Sequence, residues 1–280
     1  MEDLGAYATG LAAHPSGYWV ARSHSVLSYP QEGNDTYFSV EETSFWFRHR
    51  NAIITEVVRL FPPDGLFFDI GGGNGYVALG LERAGFPTVV VEPGATGASN
   101  ALQRGLTRVV CSTVEAAGFR QSVLPAVGLF DVLEHVEDDR AFLTELRTLM
   151  KPEGRIYLTV PAFQVLWSAD DVYAGHYRRY SRRSLSQCLD RAGFALEYVS
   201  YFFWLLILPV LVCRTVPTLI GLRRTASVED VRRLHSTGRG VRSLLVSQAL
   251  ALEQRRMRQR KIIPFGGSCL AVARNRSPIA

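Results

Sequence analysis

The stretch FFDIGGGNGYVALG, residues 67–80, decides how the rest of the chain is read. Phe67, Phe68 and Ile70 around Asp69 form a short apolar run, four of the next five residues are glycine, and a helical pattern opens at Tyr76. An interior glycine costs about 0.5–1 kcal/mol relative to alanine, so a loop this rich in it must need the conformational room. A glycine loop leading from strand to helix offers successive backbone N–H groups and a close-approaching main chain to a nucleotide-sized ligand. The spacing narrows the ligand. A dinucleotide fingerprint needs G-x-G-x-x-G, and counting from Gly71 and Gly73 the third position is Tyr76; a G-K-[ST] continuation is absent too. The pattern present is D-x-G-x-G-x-G, through Asp69, Gly71, Gly73 and Gly75. Glu92 closes the next apolar run, TVVVE (88–92), where a ribose diol takes a bidentate acceptor.

Outward from this loop, apolar runs alternate with helical periodicity. LFFDI (66–70), TVVVE (88–92), TRVVC (107–111), AVGLF (126–130), RIYLTV (155–160), FALEYV (194–199) and CLAVAR (269–274) read as strands. RAFLTELRTLM (140–150) places Phe142, Leu143, Leu146, Leu149 and Met150 on one helical face behind a cap at Asp138 or Asp139. The alternation predicts an α/β protein with a Rossmann-like, mainly parallel sheet and helices on both faces. The domain expectation is a variable arm over 1–33, a core with an N-terminal lid helix over 34–200, an apolar and basic helical insertion over 201–265, and a final strand and tail over 266–280.

With 47% hydrophobic and 20% charged residues among 280, the chain can bury a sizeable core. Cys111, Cys188, Cys213 and Cys269 follow no C-x-x-C or Cys/His spacing, which indicates neither a disulfide framework nor a zinc site. A cytoplasmic setting fits, and the first twenty residues lack the basic and apolar regions of a secretory signal. The net charge of +5 is unevenly placed. Residues 221–261 hold eleven Arg/Lys against three acids, an excess of eight that leaves the remainder at −3. That points to an anionic surface or ligand near this segment and gives no reason to invoke nucleic acid.

These motifs resemble the class I S-adenosylmethionine-dependent methyltransferases. FFDIGGGNG is similar to their first motif, VVVEPG (89–94) to their second, GLFDVLEHVEDD (128–139) to the segment after the fourth strand, and LMKPEGRIYLTVPA (149–162) to the turn and strand that follow. The likeness extends to FWFRHRN (45–51) and to LWSADDVYAGHYRRYSRRSL (166–185), covering roughly residues 34–274. It resembles a bacterial subgroup associated with glycan, polyprenol-lipid or natural-product pathways. The resemblance implies seven strands, the last of them antiparallel, and S-adenosylmethionine as cofactor. Asp69 would order the turn, Gly71, Gly72 and Gly73 would let the backbone pass the methionyl part, and Glu92 would bind the ribose hydroxyls. Phe130 and Asp131 would line the methionine moiety. Trp46, Arg48 and Arg50 read as a lid over the cofactor, one arginine pairing its carboxylate, while the opposite face of that helix packs Phe45, Phe47, Ile53, Ile54 and Val57 into the core. Two positions depart from the family pattern: Ser112 and Thr113 stand where an acid often meets the adenine amine, and Glu153 where a second turn glycine is usual.

The chemistry reads independently of the name. A sulfonium already makes its methyl carbon electrophilic, so the protein must hold the acceptor in line and exclude water, and no metal is demanded. A hydroxyl acceptor needs a base, whereas an amine need only be neutral. His176, in a polar aromatic loop at the carboxyl end of the fifth strand, and His135, after the fourth, are the candidate catalytic residues, with a smaller role for Tyr180. Arg178 and Arg179 read either as a fork for an anionic acceptor or as a solvated helix approach.

The acceptor implied is a small or lipid-linked molecule, methylated on oxygen or nitrogen; a soluble natural-product intermediate and a non-catalytic binding module are the alternatives. The insertion opens YFFWLLILPVLVCR (201–214), too short before Arg214 to span a bilayer. Its apolar run beside the basic stretch reads as a peripheral membrane contact, a lid over the acceptor pocket, or a homodimer contact.

Overall fold

The computed structural model describes residues 4–22, 38–207, 212, 215–219 and 241–276. The strands are β1 (Leu11–Ala13), β2 (Trp19–Ala21), β3 (Phe67–Ile70), β4 (Thr88–Val91), β5 (Val109–Cys111), β6 (Leu124–Phe130), β7 (Met150–Pro161), β8 (Phe194–Phe202) and β9 (Ser268–Asn275). They form one sheet in the order β1-β2-β5-β4-β3-β6-β7-β9-β8. The seven strands expected from sequence are all present, and β9 runs antiparallel between β7 and β8. The two further strands come from the N-terminal arm. β1 and β2 form an antiparallel pair, and β2 extends the sheet by lying parallel to β5 through Trp19 and Val20. Three-residue strands carry too little alternation to be seen as periodicity.

The central strands are apolar throughout because helices cover both faces. Alternate residues then serve opposite cores. Phe68, Val127, Leu129, Ile156 and Leu158 pack on one side with Leu143 and Leu146 of helix α4 (Asp139–Leu149) and Leu185 and Leu189 of α6 (Arg182–Arg191). Phe67, Ala126, Phe130, Tyr157 and Val272 pack on the other with Ile53, Ile54, Val57 and Val58 of α1 (Phe45–Leu60). The connecting helices α2 (Tyr76–Arg83) and α3 (Ala95–Gln103) follow β3 and β4. A short α5 (Ala169–Ala174) carries the loop beyond β7.

Local sequence explains the helix starts. Ser44 caps α1 by accepting from Trp46 and Phe47 N–H, and Asp138 caps α4 by accepting from Ala141 N–H at 2.8 Å. The insertion contributes α7 (Val241–Arg258), which packs along α1. Their contact includes a buried pair, His49 Nε2 to Glu253 Oε2 at 2.6 Å, and the second oxygen of Glu253 accepts from Trp204 N–H. Phe202 and Phe203, at the end of β8, are 0% and 1% exposed. The start of the apolar run is therefore core, not a docking surface. Residues 208–211, 213–214 and 220–240 of the run and of the basic stretch lie outside the described residues. No helix among the described residues is long and apolar enough to cross a membrane.

Candidate active site

The carboxyl ends of parallel strands are where open α/β sheets bind ligands, and the glycine loop leaves the sheet at that end of β3. Gly71 has φ +69° and Gly73 φ +53°, the left-handed region that side-chain-bearing residues avoid. The two differ in surroundings. A Cβ on Gly71 would stand 2.7 Å from Val132, whereas one on Gly73 would meet nothing within 4 Å. Gly71 is thus required by packing against the segment after β6, and Gly73 borders open space.

Glu92, at the end of β4, reaches across this loop. One carboxylate oxygen accepts from Gly73 N–H at 2.9 Å and the other from Gly94 N–H at 2.8 Å. Burial pushes its carboxyl above the usual range, partly opposed by these two N–H groups. Asp69 is 1% exposed beneath the loop; one of its oxygens has no hydrogen-bond partner. Its burial raises its pKa to about 7, against the pull of the Arg50 guanidinium. At the neighbouring strand end Ser112 donates to Thr113 O and Thr113 Oγ1 accepts from Ala116 N–H. Both hydroxyls make turn contacts beside the Glu92 strand.

The lid helix and β6 meet over the same end. Arg50 Nη2 lies 2.8 Å from Asp131 Oδ2, and Thr159 Oγ1 donates to Asp131 Oδ1 at 3.0 Å. Asp131 has φ +58°, a strained conformation for a non-glycine residue and one that clusters at functional sites. Trp46 stacks on Phe203 and lies under the Arg50 guanidinium. Phe130 is placed differently from its neighbour: its ring stacks on Phe67 inside the core, so its main chain, not its ring, faces the strand end.

The two histidines come together. His135 and His176 cross edge to face with ring centroids 4.7 Å apart. His176 Nδ1 lies 2.8 Å from Asp171 Oδ1. Since a carboxylate only accepts, Nδ1 carries the hydrogen and Nε2 is the basic nitrogen. Asp171 is 1% exposed, and a two-pronged contact from Arg179 fixes it at 2.7 and 2.9 Å. Burial alone would raise its pKa, but the hydrogen bonds from His176 and Arg179 prevail and hold it to about 2. Burial, with His176 alongside, lowers His135 to about 4. Glu134 completes the group: one ligand atom from each of Glu134, His135 and His176 falls within 4.8 Å of the others.

The two arginines of this loop are held by carboxylates of the chain itself. Arg179 holds Asp171, and Arg178 pairs with Asp139 at 3.0 Å, so both guanidinia are already committed to internal carboxylates. Tyr180 is 3% exposed and donates to Asp139 Oδ2 at 2.7 Å, and it also forms a main-chain bridge with Ala162. It pins the loop after β7. Glu134 and Asp171 are the residues that sequence reasoning passed over. The insertion approaches this loop: Thr215 Oγ1 donates to Leu166 O, and Thr218 Oγ1 accepts from Ala169 N–H, each at 3.2 Å. An open groove lined by Arg48, Asn51, Thr55, Tyr76 and Arg258 contains none of the strand-end residues.

A family model described as "Methyltransferase domain" matches residues 45–199. No match is found among the curated proteins. A chain of the complex formed by the Haloferax volcanii Trm112 methyltransferase activator is similar in structure, with TM-score 0.56 and 13% identity over 89% of this chain and 99% of that one. A SAM-dependent methyltransferase of Thermotoga maritima gives TM-score 0.54 and 16% identity over 88% and 96%. Phosphoethanolamine N-methyltransferase 2 of Haemonchus contortus, in complex with phosphomonomethylethanolamine and S-adenosylhomocysteine, gives 0.52 and 16% over 89% and 59%. At these identities the likeness concerns the fold.

Proposed function

The chain belongs to the methyltransferase-domain family, and from that premise we propose that it moves a methyl group from S-adenosylmethionine to an oxygen or nitrogen of a small or lipid-linked acceptor. The observation that carries the cofactor site is Glu92 spanning the glycine loop: its two oxygens, now on Gly73 and Gly94 N–H, stand where both ribose hydroxyls would find acceptors. The unpartnered Asp69 oxygen and the open space beside Gly73 fit the same ligand. Arg50 supplies a cation for the cofactor carboxylate. Ser112 and Thr113 flank the adenine end.

Transfer needs the acceptor atom in line with the sulfonium methyl and water kept away. Glu134, His135 and His176 adjoin the glycine loop through the Gly71 contact with Val132, and they are the polar groups that would meet an acceptor and its proton. Val165, Val172, Tyr173 and Tyr177 are exposed around His176, an apolar rim suited to an acceptor with a hydrocarbon part. The contacts of Thr215 with Leu166 and of Thr218 with Ala169 bring the insertion beside this loop, which supports a lid role for it. The basic excess over 221–261 favours a lipid-linked acceptor at an anionic surface over a freely soluble one.

The test is incubation of purified protein with methyl-labelled S-adenosylmethionine and separate aqueous and lipid fractions of a cell extract. Label transferred to the lipid fraction supports the full reading, and label in the aqueous fraction alone replaces the lipid-linked acceptor with a soluble one. Failure of the protein to bind the cofactor by calorimetry removes the reading altogether.

A further inference from the structure

We propose that Glu134, His135 and His176 form a binding site for a divalent first-row transition-metal ion beside the cofactor loop. The three side chains each bring a ligand atom within 4.8 Å of the other two. Bonds of about 2.0–2.2 Å place tetrahedral donors roughly 3.3–3.6 Å apart, so side-chain closure of about 1 Å completes the set.

Independent observations at the same spot point to a cation. Glu134 is 1% exposed, and its Oε2 is buried with no hydrogen-bond partner. Buried carboxylates persist when paired or metal-bound, and the carboxylates of Asp131 and Asp171 add further negative charge around this one. The one cation that acts on it among the described residues, Arg50, is already bound to Asp131.

Both imidazoles are also held as metal ligands are held. A ligating histidine donates its other ring N–H to a carboxylate or a carbonyl, which fixes the ring and its tautomer. His176 does so to Asp171, and His135 hydrogen-bonds the backbone at Ala174. Asp171 is in turn braced by Arg179 and by Ser168 N–H, so the outer support extends two layers from the ring.

One carboxylate oxygen and two imidazole nitrogens suit Mn, Fe, Co, Ni or Zn better than Mg or Ca, which take oxygen sets. Three protein ligands leave coordination positions for an oxygen of the acceptor. In that last role the inference rests on the methyl-transfer reading; the site itself does not.

The experiment is titration of chelator-treated full-length protein with Co²⁺, followed by calorimetry and by visible absorption, with S-adenosylmethionine binding measured on the same samples. One equivalent of Co²⁺ per chain is expected. Affinity should fall at least tenfold in Glu134→Gln, His135→Ala and His176→Ala, and about 10–100-fold in Asp171→Asn, whose side chain does not touch the ion. Wild-type protein that binds S-adenosylmethionine but no Co²⁺ overturns the metal site and leaves the methyltransferase reading standing. Co²⁺ binding without cofactor binding does the reverse. Co²⁺ binding that all four folded variants retain places the ion elsewhere and also overturns the site.

Discussion

Arg50 and Asp131 join the lid helix α1 to the end of β6 through a contact of 2.8 Å between Nη2 and Oδ2. The arginine is 8% exposed and its Nε has no partner. It is thus a largely desolvated cation with one unpartnered donor, and Asp69 and Glu41 are also within its field.

Replacing Arg50 should therefore act on the cofactor and the fold together. Arg50→Met is expected to weaken S-adenosylmethionine binding tenfold or more, about 1.4 kcal/mol, and to lower the melting temperature because Asp131 loses its partner. Arg50→Lys should not restore binding, since an ammonium cannot reproduce the planar fork. Calorimetry and thermal melts on both variants measure this, and cofactor affinity unchanged in Arg50→Met would confine the arginine to structure.

The two loop glycines should separate packing from ligand space. Gly73→Val is expected to fold, at a cost of about 1–2 kcal/mol for its positive φ, yet to lose cofactor binding because the side chain enters open space. Gly71→Ala should destabilise the protein more, since its Cβ strikes Val132. Glu92→Ala should weaken cofactor binding by about 1–3 kcal/mol. Normal cofactor affinity in folded Gly73→Val and Glu92→Ala would move the site away from this loop.

Asp69 gives a pH dependence of definite sign. Its folded pKa, about 7, stands above the usual 3.8, so between these values the folded protein holds a proton that the unfolded chain has released. Its contribution to stability is greatest below the unfolded pKa and declines as pH rises toward 7, by at most about 1.4 kcal/mol per unit. Asp69→Asn cannot lose that proton. Denaturant unfolding from pH 4.5 to 8 should show the variant gaining on the wild type up to about pH 7 and then levelling off, while parallel curves would contradict the assignment.

The strands and the glycine loop were legible because each depends on a local pattern: apolar runs of strand length, and glycines at fixed spacing from an acid. Glu92 was found the same way, at the end of its own strand. Glu134 was not, being one acid among several in LEHVEDD, and nothing local marks the one that is buried. Its meeting with His176 depends on β6 and β7 lying side by side and on the bridge between Ala162 and Tyr180 that folds the loop back. The partners of Arg178 and Arg179 were hidden for the corresponding reason, since Asp139 and Asp171 meet them only in three dimensions. Phe202 and Phe203 looked like surface because their run is so apolar, but β8 continues through Phe202 and both rings pack in the core with residues of α1 and α7.

The buried contact between His49 and Glu253 predicts that the insertion helix is integral to the core. Glu253 is 0% exposed and accepts from both the His49 ring and Trp204 N–H. Glu253→Ala leaves both partners without their acceptor and should cost about 3–5 kcal/mol, with α1 losing protection in hydrogen exchange. Protection of α1 unchanged in that variant would show α7 to be an independent appendage.

The position of β9 sets an order on biosynthesis. β7 and β8 are never adjacent; β9 lies between them, pairing with β7 from Arg155 to Pro161 and with β8 from Phe194 to Phe202, and it is the one strand that β8 pairs with. On the ribosome, the edge of β7 away from β6 and the whole of β8 stay open until residues 268–275 have left the exit tunnel. Through that interval the growing chain carries one open apolar edge and one unpaired strand, the condition under which chaperone capture competes with aggregation. A frameshift just before Ser268 would therefore leave β8 without its partner and β7 with an open edge.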